Sequence, residues 1–380
     1  MSRIVKILYC IAGTYNSGGM ERVLANKANY LVQHGYEVVI VTTDQRGAAP
    51  FFALDSRIRC IDLAVNYEEN NGKSFFNKLV KYPYKQYAHR RRLRKVLLEE
   101  KPDITISMYC NEASFLAGIQ DGSKKVLEIH FSKFKRLQYA RTGLWGLVDR
   151  WRTRNDERLV QRYDKFVVLT EEDRGYWGNL PNIMVIPNAR TFTPKKYASL
   201  GERRVVSIGR YSHQKGFDRL IAAWHMVAER HPEWVLDIVG GGELKEALQA
   251  QIRTLGLEQK IHLVPPTSDI ESIYTAASIY VMSSRYEGLP MVLLEAQAFG
   301  LPIVSFRCKC GPSDVVSSGV DGFLVEEGNI QGLADGLIKL IESPELRHQM
   351  GTVAIRSSAR FDEQRIMNCW MELFNTLSKR

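Results

Sequence analysis

Apolar and polar positions along this chain follow two alternating rhythms. Short, nearly continuous apolar runs of strand type recur, and longer stretches with helical spacing follow many of them. Residues 3–11 (Arg-Ile-Val-Lys-Ile-Leu-Tyr-Cys-Ile) read as a buried strand, and residues 13–20 as a glycine-containing loop. Val23, Leu24, Ala28 and Leu31 then fall on one helical face, Gly35 stands where a helix stops, and residues 37–42 form a second strand. Strand, loop, helix and strand in so short a span make a βαβ unit, which implies a parallel sheet. Further strands are predicted at 104–108, 125–130 and 165–169, and a last short one begins near Val185. A second array starts after a turn-rich connection. Its strands are predicted at 204–209, 234–239, 261–264, 279–282, 302–305 and 323–325, with helices at 217–230 and 243–255. The pattern predicts an α/β protein with two doubly wound domains facing across a cleft, residues 1–190 and 191–362. A final helix within 363–380 is placed to pack back on the first domain. Ligands in such sheets bind beyond the carboxyl ends of the strands.

Composition narrows the class. Of 380 residues, 45% are hydrophobic and 25% charged, which is ordinary globular usage and argues against disorder. No apolar run approaches the roughly eighteen residues of a membrane span, and the first residues do not read as a secretory signal. Six cysteines are scattered through the chain, and Cys308-Lys-Cys310 lacks a second pair to complete a zinc site. The expectation is a cytoplasmic protein with free thiols and no metal. Charge is uneven. Residues 1–190 hold 31 Lys+Arg against 20 Asp+Glu, a balance of +11, while the remainder balances at −1. An anionic partner for the first half and a solvated basic face both fit that split.

Candidate chemistry concentrates in a few segments. Residues 283–300 follow a strand and open a helix, with Pro290 suited to its start and Gly300 to its exit. Backbone amides of Gly288, Leu289 and Met291 would face anionic charge at that helix start. Glu287 precedes the helix, and Glu295 lies about 8 Å further along the axis. Two carboxylates so spaced can reach hydroxyls on opposite sides of a diphosphate, although Glu also serves simply at a helix start and on an exposed face. Arg210 and Lys215 sit in the loop after the 204–209 strand and suit phosphate oxygens, as they would a solvated surface. Gly18 and Gly19 permit close backbone approach before the first helix, but their spacing is not the dinucleotide fingerprint. Gly240-Gly-Gly-Glu243 is a weaker signal of the same kind. His130 ends a strand-like run and points toward the expected cleft. Zinc-protease, nucleophile-elbow and Walker A motifs are absent.

Taken together, Gly18-Gly-Met-Glu21, His130, Pro187-Asn188, Gly209-Arg210 with Lys215-Gly216, Glu287 through Glu295, and residues 311–325 resemble the retaining glycosyltransferases of family 4, with the GT-B arrangement of two Rossmann-like domains. The resemblance implies a first domain that binds acceptor and a second that binds a nucleotide-sugar. Arg210 and Lys215 would hold the donor diphosphate, and Glu287 would contact the donor sugar beside the Gly288 and Leu289 amides. Glu295 would bind the ribose, His130 would hydrogen-bond the sugar, and Gly18 and Gly19 would approach the phosphates or acceptor. It further implies a metal-independent hexosyltransferase with anomeric retention, no cofactor beyond the donor, and UDP as the nucleotide. A GT-B-like epimerase and an inactive nucleotide-sugar-binding protein are the alternatives.

The basic first half then acquires a candidate meaning. Between Lys73 and Lys95, basic residues interleave with Phe75, Phe76, Tyr82, Tyr84 and Tyr87, a composition suited to an anionic membrane surface. Pro83 is expected to interrupt a single helix there. The acceptor expected is a glycan or a polyprenyl-diphosphate-linked sugar, met at the inner face of the cytoplasmic membrane during surface polysaccharide synthesis. No nucleic acid is expected as a partner.

Overall fold

The computed structural model describes residues 4–70, 75–134 and 153–378, with the side chains of residue 70 and residues 75–80 not described. The chain divides into two compact units. One comprises Met1–Leu169, Asp173–Pro187 and Gln364–Arg380, and the other comprises Thr170–Glu172 and Asn188–Glu363.

The first unit is built on a seven-stranded sheet. Its strands are β1 (Lys6–Ile11), β2 (Glu37–Thr42), β3 (Arg59–Asp62), β4 (Ile104–Ser107), β5 (Lys124–Glu128), β6 (Lys165–Val168) and β7 (Ile183–Val185), in the spatial order β3-β2-β1-β4-β5-β6-β7. Every pairing is parallel; Leu8 of β1 sits between Val39 of β2 and Thr105 of β4. Sheets of this kind are covered on both faces, so their central strands carry apolar side chains without alternation. Ile7 through Ile11 and Val38 through Val41 are accordingly all buried. The edge strand β3 is different. Arg59-Cys-Ile-Asp62 is mostly exposed and polar, and no apolar run announces it.

Helix α1 (Gly19–Gln33) follows β1 and buries Val23, Leu24, Ala28 and Leu31. Helix α2 (Phe75–Glu100) runs through Pro83 as one element, against the sequence expectation. Pro83 lies on an exposed stretch, where water can take the carbonyl that loses its partner four residues earlier. Leu93, Val96 and Leu97 seat the C-terminal half of α2 in the core.

The second unit carries β8 (Arg204–Ile208), β9 (Val235–Val239), β10 (Ile261–Val264), β11 (Ile279–Met282), β12 (Ile303–Arg307) and β13 (Gly322–Glu326). Their order is β10-β9-β8-β11-β12-β13, again all parallel. Helices α3 (Phe217–Arg230) and α4 (Met291–Ala298) follow β8 and β11. Trp224, Leu220 and Val227 of α3 pack into an apolar cluster with Val205, Leu236, Ile279 and Val304 from the strands. The last helix, α5 (Glu363–Ser378), belongs to the first unit, where Trp370 and Phe374 are buried. The Trp370 ring lies 3.8 Å from the Lys27 ammonium of α1.

Candidate active site

In the second unit β8 is followed outward to one side by β9, while β11 returns on its other side. The loops leaving the carboxyl ends of β8 and β11 therefore diverge at a topological switch point, where open α/β sheets bind ligands. Residues 209–216 and 283–290 are those loops.

The two loops are laced together. The Arg285 N–H donates to the Gln214 carbonyl at 2.8 Å, and the Ser283 hydroxyl donates to the Lys215 carbonyl at 2.9 Å. The Arg285 guanidinium spans both Asp218 carboxylate oxygens, at 2.9 and 2.6 Å, and reaches the His213 carbonyl at 2.7 Å. Burial would push the Asp218 carboxyl up, but the Arg285 hydrogen bonds and charge hold it below its usual range. Gly216 has φ +64°, and a Cβ there would overlap the Ser283 carbonyl oxygen. Only glycine fits so close an approach in that conformation.

This lacing sets Lys215 against Glu287. The ammonium stands 2.7 Å from one Glu287 oxygen, and the Gln214 amide donates to the other at 3.4 Å and to the Tyr286 carbonyl at 3.0 Å. Glu287 is buried at 8% exposure and Lys215 is four-fifths covered, so each charge depends on its partner. Arg210, at the start of the loop, is exposed and has no ion-pair partner among the described residues. Cys308, buried nearby, has its thiol pushed up by burial and by Glu287.

Helix α4 begins directly after this loop, with Pro290 as its N-cap. The Leu293 N–H is taken by the Pro290 carbonyl at 2.9 Å, so the first-turn amides of Met291 and Val292 precede the helix's own bonding. Glu295 lies one turn in and is buried. One of its oxygens accepts from the Thr191 hydroxyl at 2.7 Å and the other from the Tyr274 hydroxyl at 2.9 Å.

The first unit holds the other residues singled out in the sequence. Its switch point lies between β1 and β4, and Gly18 is the N-cap of α1. The Glu21 carboxylate folds back over that cap, so that a Cβ on Gly18 would overlap it. Burial pushes the Glu21 carboxyl up, while its own backbone N–H, Asn16 and His130 pull it down. The first-turn amides of α1 thus already face an acid of the chain itself. Nothing crowds Gly19. His130 follows β5, and its Nε2 is 3.1 Å from the Glu128 carboxylate.

Residues 17–190 match the family model described as Glycosyltransferase Family 4, and residues 189–357 match that described as Glycosyl transferases group 1. An uncharacterized glycosyltransferase of Haemophilus influenzae is 34% identical over 372 residues, spanning 96% of this chain and 98% of the relative. The chain belongs to glycosyltransferase family 4. The amylovoran biosynthesis glycosyltransferase AmsD of Erwinia amylovora is 27% identical over 97% of the chain and 99% of its own length. A Campylobacter jejuni N-acetyl-D-galactosaminyltransferase, named for an undecaprenol-diphosphate-linked acceptor, is 26% identical over 97% and 98%. The crystal structure of TarM superposes with a TM-score of 0.80 at 17% identity, covering 98% of this chain and 99% of that one. The two parallel sheets are thus those of the GT-B architecture.

Within this family 4 glycosyltransferase, Lys215 and Glu287 meet directly, and Gly288 and Leu289 lead from them into α4. Glu295 is one turn further on, and Arg210 stands at the far end of the Lys215 loop. Gly18, Gly19 and His130 lie in the other unit. Thr191, Gln214 and Tyr274 were not legible as site residues. Their partners are 104, 73 and 21 positions away, and no local spacing marks them. The Gly240–Gly242 run has a structural explanation: a Cβ on Gly240 would overlap the Gly209 carbonyl, and the Gly241 carbonyl accepts the Tyr211 N–H at 2.8 Å.

Proposed function

We propose that this glycosyltransferase takes a UDP-sugar and transfers the sugar with retention, and without a metal, to a lipid-linked glycan of surface polysaccharide synthesis. The observation that carries the reading is the Lys215–Glu287 pair at the switch point, beside the start of α4. Lys215 turns from Glu287 toward the donor diphosphate, and the exposed Arg210 adds a second cation with a planar fork. Glu287, released from the ammonium, accepts hydroxyls of the donor sugar. The Met291 and Val292 amides add partial positive charge at the helix start, and Glu295 accepts from the ribose. As the sugar–phosphate bond breaks, charge grows on the departing diphosphate, and Lys215 and Arg210 offset it where a metal would otherwise serve. The acceptor oxygen bonds to the anomeric carbon on the face from which the phosphate departs, and that phosphate takes the acceptor's proton, which preserves the anomeric configuration. His130, in the first unit, hydrogen-bonds the sugar.

Support for UDP comes from a Staphylococcus aureus TarM variant crystallised with UDP, and support for a polyprenol-linked acceptor from the name of the Campylobacter relative. A membrane-borne acceptor also gives α2 a purpose. Tyr84, Tyr87, Arg91, Arg94 and Leu98 recur at three- and four-residue spacing, and all five are exposed. Such a stripe lies on one helix face. Aromatic rings with basic neighbours suit the headgroup region of an anionic bilayer, and we assign this face to the inner surface of the cytoplasmic membrane. Residues 71–74 of the basic segment, and the side chains of 75–80, lie outside the described residues. No described helix is long and apolar enough to cross a membrane.

The test is incubation with UDP- and GDP-sugars, with and without EDTA, following nucleotide release and product anomer by NMR. Release of UDP with a retained anomer, indifferent to EDTA, supports the reading. An inverted product or loss of activity in EDTA overturns the corresponding part.

A further inference from the structure

A buried ionic cluster behind His130 has no part in the chemistry described so far. Glu128, the last residue of β5, is 1% exposed, and Lys27 of α1 is 5% exposed. The Lys27 ammonium stands 2.5 Å from the Glu128 Oε1. His130 Nε2 lies 3.1 Å from that same oxygen. Residues two apart in extended chain share a side, which is how Glu128 and His130 come to face each other. The second Glu128 oxygen and the His130 Nε2 are both buried without a hydrogen-bond partner among the described residues, so the 3.1 Å approach is a charge contact and not an aligned hydrogen bond. Above Lys27 lies the Trp370 ring of α5, and the Tyr9 ring of β1 is 5.8 Å away.

A buried ion pair seldom stabilises a fold more than apolar side chains of similar volume would. Here the pair has a consequence for its neighbour. Burial would drive the Glu128 carboxyl up, yet Lys27 and His130 hold it down at about 2, so it stays ionised. An ionised carboxylate beside an imidazole fixes the ring and favours a proton on the facing nitrogen. Among the described residues, Glu128 on β5 and Glu21 on α1 act on His130 through their charges, and Lys27 on α1 and Tyr9 on β1 lie against Glu128.

We propose that Glu128 is a positioning residue for His130, kept ionised by Lys27, and that Trp370 makes the C-terminal helix part of that support. The proposal rests on the reading that His130 acts on the donor sugar. Lys27 supplies the countercharge, and Glu128, 3.1 Å from Nε2, sets the ring's orientation and leaves Nδ1 to accept from a donor-sugar hydroxyl.

The test combines kinetics with a spectroscopic readout. Glu128→Gln is expected to lower kcat about tenfold to hundredfold with the donor KM within about twofold, and to add nothing further in a His130→Ala background. In long-range nitrogen–proton NMR, with His130→Ala to assign the ring, the parent should carry its ring proton on Nε2, and Glu128→Gln should lose that preference. Should Glu128→Gln not fold because Lys27 is left unpaired, Lys27→Met/Glu128→Gln removes both charges and the same predictions apply. An undiminished loss in the His130→Ala background, or an unchanged His130 tautomer in Glu128→Gln, overturns the proposal. If His130→Ala itself turns over normally, the His130 reading falls and takes the proposal with it. If His130→Ala is slow while Glu128→Gln is normal, the proposal alone falls.

Discussion

Replacing Lys215 with Met tests the electrostatic core of the site with little disturbance to packing. The Lys215 methylenes lie over the backbone of Gly209, and Met keeps most of that contact while removing the ammonium. Two unit charges about 4 Å apart interact by roughly 4 kcal/mol at an effective dielectric of about 20. That is an upper figure for what Lys215 contributes as charge develops on the departing diphosphate, equivalent to about a thousandfold in rate. A fifth of the Lys215 side chain meets solvent, and that screening reduces the contribution to about 2 kcal/mol, or roughly thirtyfold. Lys215→Met should therefore lower kcat between about thirtyfold and a thousandfold, with a lowered thermal midpoint because the buried Glu287 loses its partner. The assay is initial-rate nucleotide release at saturating donor, paired with calorimetric titration of UDP. A folded variant that retains its rate within about threefold would falsify the assignment of Lys215 to the leaving group.

Three further outcomes follow from particular residues. Glu112 is fully buried, with the Ser107 hydroxyl donating to it at 2.6 Å, and burial pushes its carboxyl up to about 7 from an ordinary 4.5. Between those values the folded chain keeps a proton that the unfolded chain has lost, so this group's contribution falls as pH rises and costs about 3 kcal/mol above pH 7. Glu112→Gln should accordingly be more stable than the parent at pH 8 and no different at pH 4 in denaturant titrations; equal stability at both would refute the buried-acid reading. Gly216→Ala should lower the melting temperature and abolish turnover, since φ +64° strains a side chain by about 1–3 kcal/mol before the overlap with Ser283 is counted; an unchanged melt would show that the loops are not laced as described. Replacing Arg91 and Arg94 together with Tyr84 and Tyr87 by Ser should weaken flotation with anionic vesicles by roughly a hundredfold at low salt, and equal flotation of parent and variant would remove α2 from the membrane reading.

The architecture was legible because parallel strands buried on both faces spell themselves out as apolar runs, as in Ile7–Ile11 and Val38–Val41. Strand β3 was not, since an edge strand needs only one neighbour and Arg59-Cys-Ile-Asp62 lies mostly in solvent. Pro83 misled in the other direction: on an exposed helix face its missing N–H leaves only a carbonyl that water can serve. Within the site, the residues near a recognisable strand-to-helix junction could be named in advance, Lys215 and Glu287 among them. What could not be read was pairing across sequence distance. Lys27 and Glu128 are 101 positions apart, and a lysine amid the apolar positions of α1 looks like any helix-face charge until β5 is laid beside it. Thr191 and Tyr274, which hold Glu295, are invisible for the same reason.

The most direct measurement is a crystal structure with UDP bound. The account predicts diphosphate oxygens within about 3 Å of Lys215 Nζ and of the Arg210 guanidinium, a ribose hydroxyl on Glu295, and Glu287 parted from Lys215. UDP seated elsewhere, or seated here with the Lys215–Glu287 pair intact and Arg210 still turned to solvent, would contradict it.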